Sequence, residues 1–155
     1  MAATITTYGV YVFVHALGAI VWIGGGITIN VLMTLASRAK DPAVLGALTK
    51  HVSWVGNRVF APASLLLFLF GSLAVEQGDW SYDAWWVRLG VAGWVAAFVV
   101  SFGFLAPESA RIGRLAAAEG PSPAVAARVR RLTLVSRLVL VVLVAVVFVM
   151  ATKPG

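Results

Sequence analysis

The chain has no cysteine, only two histidines and only six acidic residues among its 155. The missing cysteine excludes disulfides, thiolate metal sites and thiol redox chemistry. The shortage of charge says more. Charged residues are 12% of the sequence, where a soluble domain carries roughly a quarter. Most of the surface must therefore face something other than water. None of the six acids lies deep inside an apolar run, which argues against a carboxylate-driven proton or cation pump. No nucleotide-binding loop, serine or aspartate catalytic set or zinc motif is present. Nothing in the sequence marks an enzyme. Three methionines without cysteine are a thin ligand set for copper.

What the chain does contain is apolar sequence, at 61% hydrophobic residues. Four runs, Tyr8–Ala36, Trp54–Val75, Ala84–Ala106 and Leu132–Thr152, are each long enough to cross a bilayer. Residues 1 to 7 hold no Lys or Arg and the first run is too long for a signal peptide, so it reads as a retained helix. No strand-like alternation appears. "KDPAVLG" offers Asp41 as an N-cap before Pro42, and "GPSPAVAARVRR" repeats the device with Ser122 and Pro123, after Gly120 closes the preceding helix. These signals predict helices over about 8–36, 42–75, 84–118 and 123–152. The expected fold is an all-α membrane protein, an up-down four-transmembrane-helix bundle forming a single integral membrane domain over 1–155.

Ten of the twelve basic residues fall between Arg38 and Arg58 or between Arg111 and Arg137, leaving Arg88 and Lys153 for the other end. The positive-inside rule then puts the first and third connections in the cytoplasm and both the N-terminus and the C-terminus outside, in the cytoplasmic (bacterial inner) membrane. The net charge of +6 is accounted for by this topology, and no nucleic-acid partner is needed. The expected partner is the lipid bilayer, with a homo-oligomer or a membrane partner protein left open.

Six aromatic residues at the outer connections, Tyr8, Tyr11, Trp80, Tyr82, Trp85 and Trp86, read as an interfacial belt. Gly18, Gly24, Gly25, Gly26, Gly90 and Gly93 read as points of close helix approach. Pro62 is expected to bend the second helix and free a carbonyl. At helical spacing His15 shares a face with Gly18, Trp22 and Gly26, continuing toward Asn30 and Met33. A histidine about 10 Å deep in a membrane wants a partner. It is a packing residue bonded to a neighbouring helix, a haem or metal ligand, or a proton-handling group. His51 belongs near the opposite face and cannot share a ligand with it. Toward the cytoplasm, Asn30, Asn57, Arg58, Glu108, Ser136 and Arg137 form a second polar layer, with Arg58 expected to avoid lipid and Arg58 or Arg137 expected to pair with Glu108. The candidate cofactor-binding residues are His15, Trp22, Asn30 and Arg58, with His15 also the candidate metal ligand and haem b the candidate cofactor.

The stretches "HALGAIVWIGG", "LAPESARIGRL" and "FVMATKP" resemble a family of bacterial predicted integral membrane proteins of unknown function, over nearly the whole chain. The helix-one pattern is also similar to that of the copper-resistance D membrane proteins and of the HemJ-type protoporphyrinogen oxidases, four-helix proteins that bind haem. That resemblance implies His15 as a haem ligand. HemJ-type proteins follow their helix-one glycine with Pro-Arg and carry a functional lysine deeper in the chain. Here helix one continues "GGGITINVLM" and no lysine lies within a membrane segment, so the oxidase activity is not implied. The two function classes left are a haem- or metal-binding redox or maturation component using His15, and a non-catalytic membrane partner or small-solute transport component in which His15 is structural.

Overall fold

The computed structural model describes residues 6–39, 42–120 and 122–153. Four long helices account for nearly all of them. They are α1 (residues 7–39), α2 (42–77), α3 (85–119) and α4 (123–152). All four are long and apolar enough to cross a membrane, with mean hydropathy of 1.9 to 2.9 in their most apolar windows. No strand occurs among the described residues. Phe13, Ile20, Val141 and Phe148 are each 64–68% exposed, which suits lipid and not water.

The helix starts follow local chemistry. The Thr6 side chain accepts the Gly9 N–H at 3.1 Å at the head of α1. Ser122 Oγ accepts the Val125 N–H at 3.3 Å, with Pro123 next in line where its missing N–H costs nothing. Gly120, at φ +69°, closes α3. The expected Asp41 cap lies outside the described residues. Between α2 and α3 the chain turns at Gly78 and Asp79, with Asp79 in the left-handed region at φ +54°. At 35 residues, α3 is about 50 Å long against a hydrocarbon core of about 30 Å. It therefore projects well past the bilayer at the basic end.

Each of the first three helices is interrupted by one wide π-helical turn: Ile20–Gly24 in α1, Gly56–Phe60 in α2 and Ser101–Leu105 in α3. Two of them have a covalent cause. Proline has no N–H to donate, and its ring crowds the carbonyl four residues back. Pro62 and Pro107 each lie two residues beyond a π turn. The last free N–H groups before them, on Ala61 and Ala106, reach back five residues to the carbonyls of Gly56 and Ser101. The third turn ends at Gly24–Gly26, where each glycine weakens the helix by up to about 1 kcal/mol relative to alanine.

These turns coincide with an exchange of partners. On the side of the chain termini, α1 packs on α2 and α3 packs on α4. Beyond the π turns, α2 packs on α3 and α1 packs on α4. An inserted residue rotates the following helix face by about 100°, which lets one helix offer packing faces to two different neighbours. Between the two levels lies an apolar layer of Trp22, Ala97 and Leu143, with Phe60, Leu67, Trp94 and Phe98 against it. A separate core of Met33, Ile112, Val125, Val129 and Leu132 holds the basic end.

Candidate functional site

His15 comes from the face of α1 that packs on α2. Its Nδ1 lies 2.7 Å from the Leu67 carbonyl oxygen. A carbonyl only accepts, so Nδ1 carries the proton, and a neutral ring must then present a lone pair at Nε2. Nε2 has no hydrogen-bond partner among the described residues. The ring is seated by glycine. A Cβ on Gly71 would stand 2.6 Å from His15 Nδ1 and 2.9 Å from its Cε1. One turn inward, a Cβ on Gly18 would stand 2.9 Å from the Ala63 carbonyl oxygen. The two helices thus touch backbone to backbone beside the histidine.

His15 lines a cavity of about 190 Å³ where the pair α1–α2 parts from the pair α3–α4. Its walls are aromatic, with Tyr8, Phe68, Trp80, Tyr82, Trp86 and Trp94, and its far side holds Met150 and Lys153. The Lys153 ammonium lies 4.2 Å from the Trp80 ring centre and 5.6 Å from that of Trp86, an attraction worth about 0.5–1 kcal/mol at an exposed site. Trp94 donates its indole N–H to the Ser64 carbonyl at 3.0 Å and stacks on Phe68 at 4.2 Å. No carboxylate among the described residues lines this cavity. Its electrostatics favour a neutral or anionic guest.

A second cavity, about 100 Å³, lies past the apolar layer. All three π turns contribute to it, through Trp22, through Gly56 and Phe60, and through Ser101, Phe102 and Leu105. Its polar lining is Asn30, Ser101, Ser109, Thr133 and Ser136. The space has room for about three water molecules at roughly 30 Å³ each. Asn30 is buried and donates to the Gly26 carbonyl at 3.0 Å and to Ser136 Oγ at 2.7 Å, tying α1 to α4. Ser109 Oγ donates to the Thr49 carbonyl at 3.2 Å, tying α3 to α2.

The four sequence-derived site residues do not line one cavity. Trp22 and Asn30 share the inner cavity, and His15 lines the outer one. Arg58 lines neither: it is exposed, on the π turn of α2, without a partner among the described residues. No contact among the described residues covers its side chain. The Glu108 partners also differ from those expected. Arg128 donates to it at 2.6 Å and Arg111 at 3.4 Å, while Arg137 instead donates to Thr34 Oγ1 at 3.2 Å. Arg128 lies opposite because Gly120 returns the chain directly, so the first turns of α4 face the last turns of α3.

His51 is exposed on α2, sixteen residues from Leu67 and so about 24 Å from the His15 bond. Arg88 pairs with Asp83 at 2.8 Å, both exposed. Gly24 has nothing within 4 Å of an added Cβ and leaves the packing seam, whereas Gly25 abuts Phe60, Gly26 Leu140, Gly90 Met150 and Gly93 Val146. Sequence reasoning missed Met150, Lys153 and Gly71 at the outer cavity. The signal available was distance along α4, whose last turn must lie level with Trp86 in an up-down bundle.

Among the described residues no group of three His, Asp or Glu is placed to hold a metal ion. The match to known proteins is at the level of the whole chain. The model of the family described as "Predicted integral membrane protein (DUF2269)" covers residues 10–154. The chain belongs to the DUF2269 family. That assignment agrees with four apolar helices and makes it a multi-pass integral membrane protein set in a lipid bilayer. No curated protein and no solved structure matches this DUF2269 chain.

Proposed function

We propose that this protein binds a small, lipid-soluble, ring-bearing molecule in the outer cavity and holds it by one hydrogen bond to His15 Nε2. The observation that carries the reading is the His15 Nδ1–Leu67 carbonyl bond, which fixes the tautomer and leaves Nε2 as an acceptor. Such a nitrogen accepts a hydrogen bond from a ring hydroxyl, as on a quinol, or gives its lone pair to a metal centre. Aromatic walls and a lysine suit the flat body and the oxygen atoms of a quinol, and 190 Å³ suits one ring or two. In this reading the chain is a non-catalytic binding component of the cytoplasmic membrane, one membrane domain with its basic end inside and both termini outside.

Haem b is the second reading, favoured by the donor set. His15 and Met150 offer an imine nitrogen and a thioether, and Lys153 offers an ammonium for a propionate, all on one cavity. The space does not fit. A site for even a drug-sized ligand is roughly 300–1,000 Å³, so a tetrapyrrole needs the two helix pairs to part further. A bare metal ion meets the Lys153 charge.

Titration of the purified chain in detergent with a short-chain benzoquinol, read by tryptophan fluorescence, tests the proposal. Saturable quenching that weakens about fivefold in His15→Ala supports it, since one hydrogen bond is worth about 1 kcal/mol. Quenching that never saturates, or that His15→Ala leaves unchanged, refutes it and leaves His15 as a tie between α1 and α2. A haem absorption band in the purified chain, lost in His15→Ala, establishes the second reading instead.

A further inference from the structure

At the basic end, α1 and α4 leave a groove of about 350 Å³ between them. Its wall is apolar along Ile27, Val31, Leu35 and Leu140, and two guanidinium groups, Arg38 and Arg137, head it. The bonds across the groove set the order of depth. Asn30 and Ser136 are level, joined at 2.7 Å. Arg137 reaches one turn further toward the end of α1, donating to Thr34 Oγ1 at 3.2 Å. Arg38 lies one turn beyond that, in the last turn of the helix.

Hydrophobic wall therefore gives way to paired positive charge in the direction that leads out of the membrane. No acidic side chain among the described residues lines the groove. Neither arginine has a carboxylate partner among the described residues, because Glu108 is held by Arg128 and Arg111. Two unneutralised guanidinium groups at the rim of an apolar groove match a phosphate diester that carries an acyl chain.

We propose that this groove binds an anionic phospholipid. The headgroup phosphate lies between Arg38 and Arg137, and one acyl chain runs along Val31, Leu35 and Leu140. The lipid staples α1 to α4 at the level where only Asn30–Ser136 and Arg137–Thr34 otherwise join them by side-chain bonds among the described residues.

The test uses the full chain reconstituted in phosphatidylcholine vesicles holding a trace of spin-labelled phosphatidylglycerol or spin-labelled phosphatidylcholine. The wild-type protein immobilises the phosphatidylglycerol label preferentially. Arg38→Gln and Arg137→Gln each reduce that preference about fivefold, and Arg88→Gln, at the opposite end, leaves it unchanged. Arg38 has no side-chain bond among the described residues, so Arg38→Gln reads the site without disturbing the fold. Equal immobilisation of both labels, or an unchanged preference in Arg38→Gln, overturns the proposal. Release of the label by millimolar inorganic phosphate also overturns it, since the groove would then be a site for the free anion.

Discussion

His15 and Gly71 are a matched pair: a Cβ on Gly71 would lie 2.6 Å from His15 Nδ1, so the imidazole reaches the Leu67 carbonyl only across a bare backbone. Gly71→Ala is expected to push the ring off that carbonyl while α2 stays helical. The benzoquinol titration should then weaken about as much as in His15→Ala. A Gly71→Ala protein that binds like wild type would show that the histidine has room to spare.

The glycine seam makes a contrast within one helix. Gly18→Leu sets a side chain against the Ala63 carbonyl and Leu67, and Gly25→Leu drives one into Phe60, while Gly24→Leu meets open space. Overpacking of this kind costs about 1–3 kcal/mol, so the first two variants should melt well below wild type. Gly24→Leu should stay within about 0.5 kcal/mol. Thermal melts of the three in one detergent decide the matter.

Glu108 is buried and joined to Arg128 and Arg111, which are themselves 41% and 61% exposed. Partly wet partners keep the contribution well below that of a fully buried pair. Glu108→Ala is expected to cost about 1–2 kcal/mol, and Arg58→Ala close to nothing. A double-mutant cycle between Glu108 and Arg128 should show coupling, and one between Glu108 and Arg58 should show none.

The topology is open to a simple check because the chain lacks cysteine. Single cysteines at Ser81 and Ser122 should react with a membrane-impermeant maleimide from opposite sides, Ser81 from outside. Labelling of both from one side contradicts four spans, and labelling of Ser122 from outside inverts the proposed orientation.

Much of the fold could be read from apolar run length and from Ser122, Pro123 and Gly120, because transmembrane length and helix caps are local properties. Pro62 announced a disturbance, but how the backbone absorbs a proline depends on the neighbouring helices. The π turns and the exchange of helix partners were accordingly hidden, and with them the exposure of Arg58 and the separation of His15 from Trp22 and Asn30. The need of His15 for a partner was readable. Its partner was not, since any main-chain carbonyl can accept, and Leu67 carries no polar side chain to signal it.

The central claim is that His15 is held as the Nδ1–H tautomer with Nε2 left to a ligand. Nitrogen-15 NMR of the His51→Gln chain in lipid bilayers, with the remaining histidine labelled, reads this directly. The account predicts a protonated Nδ1, and an Nε2 resonance that moves when benzoquinol is added. A protonated Nε2, or an Nε2 resonance indifferent to the ligand, would contradict it.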